Sequence, residues 1–283
     1  MSALVTSFRM YNAGPQATAA WRELFARVFA ELTLDIRIIE HGWPDPIESL
    51  WDRADLCCDF MCGWPFVRVV RVMRAVRASG EPSNAPQPIA VPVPSPQRYQ
   101  NLPRYCSEFL VRESSGWTAL ADTFGHRFGW MASNSQSGFN AARAHLARAA
   151  QGRPQLFSEV RGPLETPART LESLRAGEVD VVALDSFFLD LCRLHQPLEL
   201  EGLRTVASTP WTPMPLLVAA SEVLPDVVDA LRARLISLHE SADYAPLLAR
   251  VLVRRFELPA VSSYAVLEQM ALDAIESKYE SIR

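Results

Sequence analysis

Lysine is almost missing from this sequence. Of the 28 lysine and arginine residues in the 283-residue chain, only Lys278 is lysine and the other 27 are arginine. That scarcity excludes chemistry built on a Schiff-base amine, a P-loop lysine or a kinase-type lysine. Long hydrophobic runs are missing too. Arginine, aspartate and proline interrupt every apolar stretch before it reaches the roughly 18 residues that span a bilayer, so no membrane insertion is expected. The five cysteines, Cys57, Cys58, Cys62, Cys106 and Cys192, are odd in number. Their spacing fits neither paired zinc knuckles nor a small disulfide framework, and at least one thiol is free or bridged to another chain. No block of positive charge stands out. With a formal net charge of −4, a pI near 5.8 and dispersed arginines, no nucleic-acid partner is expected. The segment Met1 to Arg9 has no basic n-region and no long apolar stretch of the secretory kind. The expectation for the chain as written is cytoplasmic, and periplasmic if the true start lies upstream.

What is present is the composition of a protein with a substantial core: 49% hydrophobic and 21% charged residues. At this length two domains are the prior. Leu4 to Met10 reads as a strand, and Pro15 opens a helix whose buried face is Trp21, Leu24, Phe25, Val28, Phe29 and Leu32. Ile36 to Ile39 reads as strand, Pro46 to Trp51 as a helical turn and Leu56 to Met61 as a buried run. This alternation predicts a mostly parallel sheet covered by helices. Seven prolines between Pro82 and Pro103 then predict a connecting segment without helix or central strand.

The alternation restarts beyond it. Strands are predicted at Cys106 to Arg112, Phe128 to Met131, Leu156 to Val160 and Val179 to Leu184, and helices at Gly138 to Ala150, Thr166 to Ala176 and Ser186 to Leu194. A second Pro-rich passage, Thr209 to Pro215, precedes the apolar run Leu216 to Ala220 and helical stretches near 225–240, 244–254 and 264–280. The expected organisation is a discontinuous first domain, 1–103 plus 212–283, and a second domain, 104–211. The Pro-rich crossings serve as a hinge, and the cleft between the domains is the default ligand site.

Chemistry concentrates where a predicted strand meets a helix, in Trp130-Met131-Ala132-Ser133-Asn134-Ser135-Gln136-Ser137-Gly138-Phe139-Asn140. A helix N-terminus offers unpaired N–H groups and the positive end of a dipole, and Ser135 and Ser137 add hydroxyl donors. Such a loop can hold a small anion without lysine. A single serine there would be only an N-cap, and both readings stand at this point. Asp185 is open in the same way. It follows the buried run Val179 to Leu184 and precedes a helix, so it is either a cap or a ligand contact at the carboxyl end of a strand.

The stretch Ser135-Gln136-Ser137-Gly138-Phe139-Asn140-Ala141-Ala142-Arg143 resembles the S-x-S-G-[FY]-N-x-x-R segment of the phosphate/phosphonate-type substrate-binding proteins of ABC transporters. Arg9-Met10-Tyr11 is similar to the first-strand P-M-Y of that family, Leu50-Trp51 to Asp55-Leu56 to L-W-x-x-x-D-L, and Cys62-Gly63-Trp64-Pro65 to C-G-[YW]-P. Arg104-Tyr105-Cys106-Ser107 is similar to R-Y-x-S, and Gly177-Glu178-Val179-Asp180 to Asp185 is similar to G-x-x-D-x-x-x-x-D. Together they cover most of residues 8–220. The resemblance implies an α/β, type II periplasmic-binding-protein-like fold, two α/β domains with a hinge and an interdomain ligand cleft. It also implies ligand contacts from Tyr11, Gly63, Trp64, Tyr105, Ser135, Gln136, Ser137, Gly138 and Asp185. One departure narrows the ligand. Where phosphonate-type members carry a histidine, this chain has Glu165-Thr166-Pro167, with Thr170 at the motif's final serine. That argues against an aminoalkylphosphonate and leaves another small anion or zwitterion. Arg161 and Arg169 are the replacement cations the sequence offers nearby.

The histidines His41, His126, His145, His195 and His239 form no pair at metal spacing, so neither metal nor cofactor is expected. Cys62 has no histidine marked as its partner and reads as a core thiol. Trp21, Trp43, Trp51, Trp117, Trp130 and Trp211 read as packing. The function expected is non-catalytic capture of a small anionic or zwitterionic solute, as the receptor of an ABC importer with its permease as partner, or as a ligand sensor. The alternative is a cytoplasmic enzyme on the same fold acting on a small carboxylate or other anionic metabolite.

Overall fold

The computed structural model describes residues 3–78 and 84–283. Pro82 and the first two residues of the N-terminal segment lie outside them. The chain opens with β1 (Leu4–Thr6), α1 (Pro15–Glu31), β2 (Ile36–Ile38), α2 (Ile47–Trp51), β3 (Asp59–Met61), α3 (Gly63–Ala78) and β4 (Gln87–Pro94). Next come β5 (Arg104–Tyr105), β6 (Ser107–Arg112), β7 (Arg127–Gly129), α4 (Ala141–Ala150), β8 (Glu159–Arg161), α5 (Pro167–Arg175), β9 (Val181–Asp185), α6 (Ser186–His195) and β10 (Leu203–Ser208). The last stretch holds β11 (Thr212–Pro213), β12 (Leu216–Ala219), α7 (Pro225–Ser237), α8 (Ala245–Arg250), β13 (Val253–Glu257) and α9 (Ala265–Glu276).

Contacts divide the chain into two compact units, Met1–Arg104 with Pro213–Ser262, and Tyr105–Thr212 with Ser263–Arg283. The C-terminal segment differs from the sequence expectation, which kept it in the first domain. Here α9 packs on α4 of the second unit, with Met270 against Ala141 and Ala144. Ala274, Tyr279 and Ile282 join Phe109, Phe128, Leu146 and Val181 in that unit's core. The apolar spacing of Leu267, Met270, Ala271 and Ala274 shows which face is buried but not against what.

In the first unit β13, β4, β12 and β3 form an antiparallel sheet, while β1 pairs in parallel with β2 and Val5 bridges Leu56 in parallel. In the second unit the order is β10-β6-β9-β7-β8. There β10, β6 and β9 are antiparallel, and β9, β7 and β8 are parallel. Both units are therefore mixed rather than mostly parallel. Strands joined by helical crossovers must run in parallel, but β6 and β12, which enter from the other unit, are free of that constraint and run against their neighbours.

The Pro-rich segment also differs from expectation, since β4 is an inner strand carrying Pro88, Pro92 and Pro94. These three share parity, so in a regular strand their missing donors fall on one side, and Gln87, Ile89, Val91 and Val93 keep theirs. The ladders to β12 and β13 each shift register once, which absorbs the mismatch. Beyond α8, the stretch read as helix to residue 254 gives way to strand β13, whose Val253 and Phe256 are buried.

Candidate functional site

On the second unit, β7 ends at Gly129 and the chain turns through Ser135 into a five-residue π-helical turn, Gln136–Asn140, that runs on into α4. The wide turn is defined by the Asn140 N–H donating to the Ser135 carbonyl at 3.0 Å. Ser135 is the cap. Its Oγ accepts the Gly138 N–H at 2.9 Å, which engages this serine in the backbone. Gly138 is demanded by space, since a Cβ there would stand 2.6 Å from the Met131 Cβ. Ser137 is buried, at 7% exposed, and its hydroxyl has no partner among the described residues.

The two amide side chains of the turn are engaged. Asn140 donates from Nδ2 to Gln136 Oε1 at 2.8 Å and to the Leu267 carbonyl of α9 at 2.9 Å. Gln136 Nε2 in turn donates to the Met270 sulfur at 3.4 Å. Gln136 therefore sits in the packing between turn and α9, buried at 0% exposed. Asn140 and Arg143 belong to the motif that drew attention to the loop, yet sequence reasoning assigned them no role. Their usefulness depends on α9, whose place the sequence does not reveal.

The turn packs against β9, at whose end stands Asp185. Asp185 caps α6: one carboxylate oxygen, Oδ1, accepts the N–H groups of Phe187 at 2.7 Å and Phe188 at 3.1 Å. Across the antiparallel ladder its register partner is Ser107, whose buried Oγ has no hydrogen-bond partner among the described residues. Register partners share a face of the sheet, so Ser107 brings a hydroxyl to the Asp185 end of β9 that the sequence reading did not select. Tyr105 lies two residues before it, buried, in the short strand β5 that pairs with β11.

The remaining candidates belong to the first unit. Tyr11 closes a 3-10 turn, Arg9–Tyr11, and its ring lies 5.0 Å from Phe60 and 6.3 Å from Trp21. The turn is set by Asp59, whose carboxylate accepts the N–H groups of Ser7 at 2.7 Å and Phe8 at 3.2 Å, holding Phe8 at a left-handed φ of 55°. Burial pushes the Asp59 carboxyl up to about 6. Gly63 and Trp64 begin α3, with the Arg68 guanidinium 5.5 Å from the Trp64 ring.

The positions that replace the family histidine are occupied structurally. Thr166 caps α5 through the Arg169 N–H at 3.2 Å, and Thr170 returns its hydroxyl to the Thr166 carbonyl at 2.8 Å. Arg161 is paired with Glu159 at 2.6 Å on the surface, and Arg169 is exposed, so neither supplies a buried cation. Arg143 does. It is 7% exposed and lies on the first turn of α4.

Three titratable groups elsewhere, His41, Cys57 and Cys192, are not set as catalytic bases or nucleophiles. His41 meets Ser49 at 3.1 Å, but Arg9 donates to His41 Nδ1 at 2.9 Å. An imidazole accepting at Nδ1 carries its proton on Nε2 and cannot serve Ser49 as a base. Burial and the Arg9 charge also lower its pKa. Burial pushes the Cys57 and Cys192 thiols up to about 12, the opposite of nucleophile activation. Among the described residues no cluster of His, Cys, Asp or Glu could hold a metal, and no helix is long and apolar enough to cross a membrane.

Two mixed α/β units linked by short crossing strands, with a serine turn at a helix N-terminus beside the end of a strand, define a periplasmic-binding-protein-type fold. The solved structures agree. A binding protein component of an ABC phosphonate transporter from Pseudomonas aeruginosa superposes with a TM-score of 0.75 at 16% identity, over 98% of this chain and 88% of that one. PhnD1 from Prochlorococcus marinus, in complex with methylphosphonate, gives 0.69 at 15% identity over 96% and 98%. A Xanthomonas citri protein bound to ATP gives 0.62 at 17% identity over 98% of each chain. The family described as ABC transporter, phosphonate, periplasmic substrate-binding protein matches residues 73–264, and the chain belongs to it. Among curated proteins no sequence match was found.

Proposed function

We propose that this chain is the solute receptor of an ABC importer, that its ligand is a small anion or zwitterion, and that the ligand is released unchanged. The observation that carries the reading is Ser137, a residue 7% exposed at a helix N-terminus, whose hydroxyl has no partner among the described residues. Backbone N–H groups and the positive dipole end there favour an anionic group, and Ser137 adds a directed donor. Asp185, at the end of the neighbouring strand, selects for a cationic or hydrogen-donating group at the ligand's other end and disfavours a second negative charge. Tyr11, Gly63, Trp64, Tyr105, Gln136 and Gly138 stay in the proposal as ligand contacts, on the motifs that carry them. Relatives of the same fold hold methylphosphonate, adipate and malate, so phosphonates and carboxylates are the first ligand classes to try, with Asp185 favouring those that carry one anionic group. The partner is the importer's permease and the compartment the periplasm, as the family's description implies.

Isothermal titration of wild type and Asp185→Asn against a zwitterion and its amine-free analogue tests the reading. Asparagine keeps the acceptor that caps α6, so the substitution removes charge alone. Selective weakening of the zwitterion is the expected result. An equal effect on both ligands would refute the role of Asp185, and a ligand recovered chemically altered would refute non-catalytic capture.

A further inference from the structure

Arg143 is a buried cation with no ion-pair partner among the described residues. One guanidinium nitrogen donates to Asn140 Oδ1 at 3.1 Å and another to the Glu280 carbonyl at 2.8 Å, while Nε is buried without a partner among the described residues. No carboxylate among the described residues lies at ion-pairing distance, and the exposed Glu280 carboxylate acts on it only through space. Burial lowers its pKa from the ordinary arginine value, but a guanidinium stays charged at any physiological pH. Burying such a charge is costly unless something compensates it.

Its position names the compensating group. Side chains on a helix lean toward its N-terminus, and that of Arg143 does so, with the guanidinium 5.4 Å from the Phe139 ring and bonded to Asn140. The guanidinium therefore lies at the Phe139–Asn140 end of the π turn that also carries Ser137 and Gly138. Asn140 links the two levels: it accepts from Arg143 and donates to Gln136, inside the same π turn.

We propose that Arg143 supplies the positive charge that neutralises the bound anion, acting from the Phe139–Asn140 end of the serine turn through Asn140 and without touching the ligand. It is a positioning and charge-balancing residue, and it takes the place left by Glu165-Thr166-Pro167, where no cation stands. The C-terminal segment then belongs to the binding machinery, because Leu267 and Glu280 hold Asn140 and Arg143 in place through their carbonyls. This inference rests on the reading that the serine turn holds the anion, and it adds the source of the charge.

The test is charge-selective. Methylphosphonate is titrated at a pH above its second ionisation, where it is a dianion, and methanesulfonate serves as a monoanion of similar shape. The variants are Asn140→Asp, which sets a carboxylate beside the guanidinium at the cost of the two hydrogen bonds that Asn140 Nδ2 donates, Arg143→Gln, and Arg143→Lys, which keeps the charge. Melting curves of each variant report the fold separately. Asn140→Asp and Arg143→Gln are expected to weaken the dianion about tenfold or more beyond their effect on the monoanion, with Arg143→Lys recovering most of the difference. Equal losses for both ligands in Asn140→Asp and Arg143→Gln, or a lysine variant no better than glutamine, would overturn the proposal. A wild type that binds neither ligand would overturn the underlying reading of the serine turn instead.

Discussion

Ser135 gives its side-chain oxygen to the Gly138 N–H, and Ser137, two residues on, gives its hydroxyl to no described residue. The two serines of one motif thus do different work. Ser135→Ala should cost about 1 kcal/mol of stability through the lost cap. Ser137→Ala should leave the melting temperature in place and weaken ligand binding by about 1–3 kcal/mol. Thermal melts and titration of both variants separate the effects, and a shared loss of stability would show that both serines are structural.

Gly138 is set by packing rather than by backbone freedom. A methyl group there meets the Met131 Cβ at 2.6 Å, and both atoms belong to stiff parts of the chain. Gly138→Ala should destabilise the protein by about 1–3 kcal/mol, as overpacking does. Denaturant unfolding measures it, and an unchanged midpoint would mean that the turn yields.

Asp180 binds Arg112 at 2.7 Å and Arg127 at 2.8 Å, tying β6 and β7 to the loop before β9. Although burial opposes ionisation, hydrogen bonds from Arg127 and Arg112 outweigh it and hold the carboxyl at about 2. A depressed pKa stabilises the fold above the unfolded value of about 4, and that contribution is lost as pH falls toward 2. Asp180→Asn should therefore cost about 2 kcal/mol at neutral pH, with the gap from wild type closing on acidification. A gap independent of pH would contradict the assignment.

Asp59 has the opposite sign. Its carboxyl is raised to about 6 by burial, partly offset by the N–H donors of Ser7, Phe60 and Phe8. Stability from this group is full below about pH 4 and is lost as pH rises through 6. Relative to Asp59→Asn, wild type should lose up to about 3 kcal/mol of its advantage between pH 4 and 7, a comparison in which the Asp180 contribution is common to both proteins and cancels. Unfolding of both proteins across that range decides it, and a difference that grows with pH would contradict the prediction.

Local signals in the sequence determined much of this protein. Pro15 and the apolar spacing from Trp21 to Phe29 specify α1, and the order strand, Ser-Gln-Ser-Gly, helix marks the turn at Ser135 to Gly138, because caps, prolines and periodicity act within a few residues. The family was legible for the same reason, since its motifs are short and contiguous. The tertiary structure alone decided where α9 packs, because an amphipathic face shows that it is buried without naming its partner. It also decided that a strand with three prolines lies inside a sheet, because prolines of one parity and two register shifts leave enough of the ladder intact. Arg143 is the clearest case. As one of 27 arginines it carries no mark in the sequence. It becomes a buried cation only when the C-terminal segment reaches it with the Glu280 carbonyl and Asn140 accepts its other hydrogen bond.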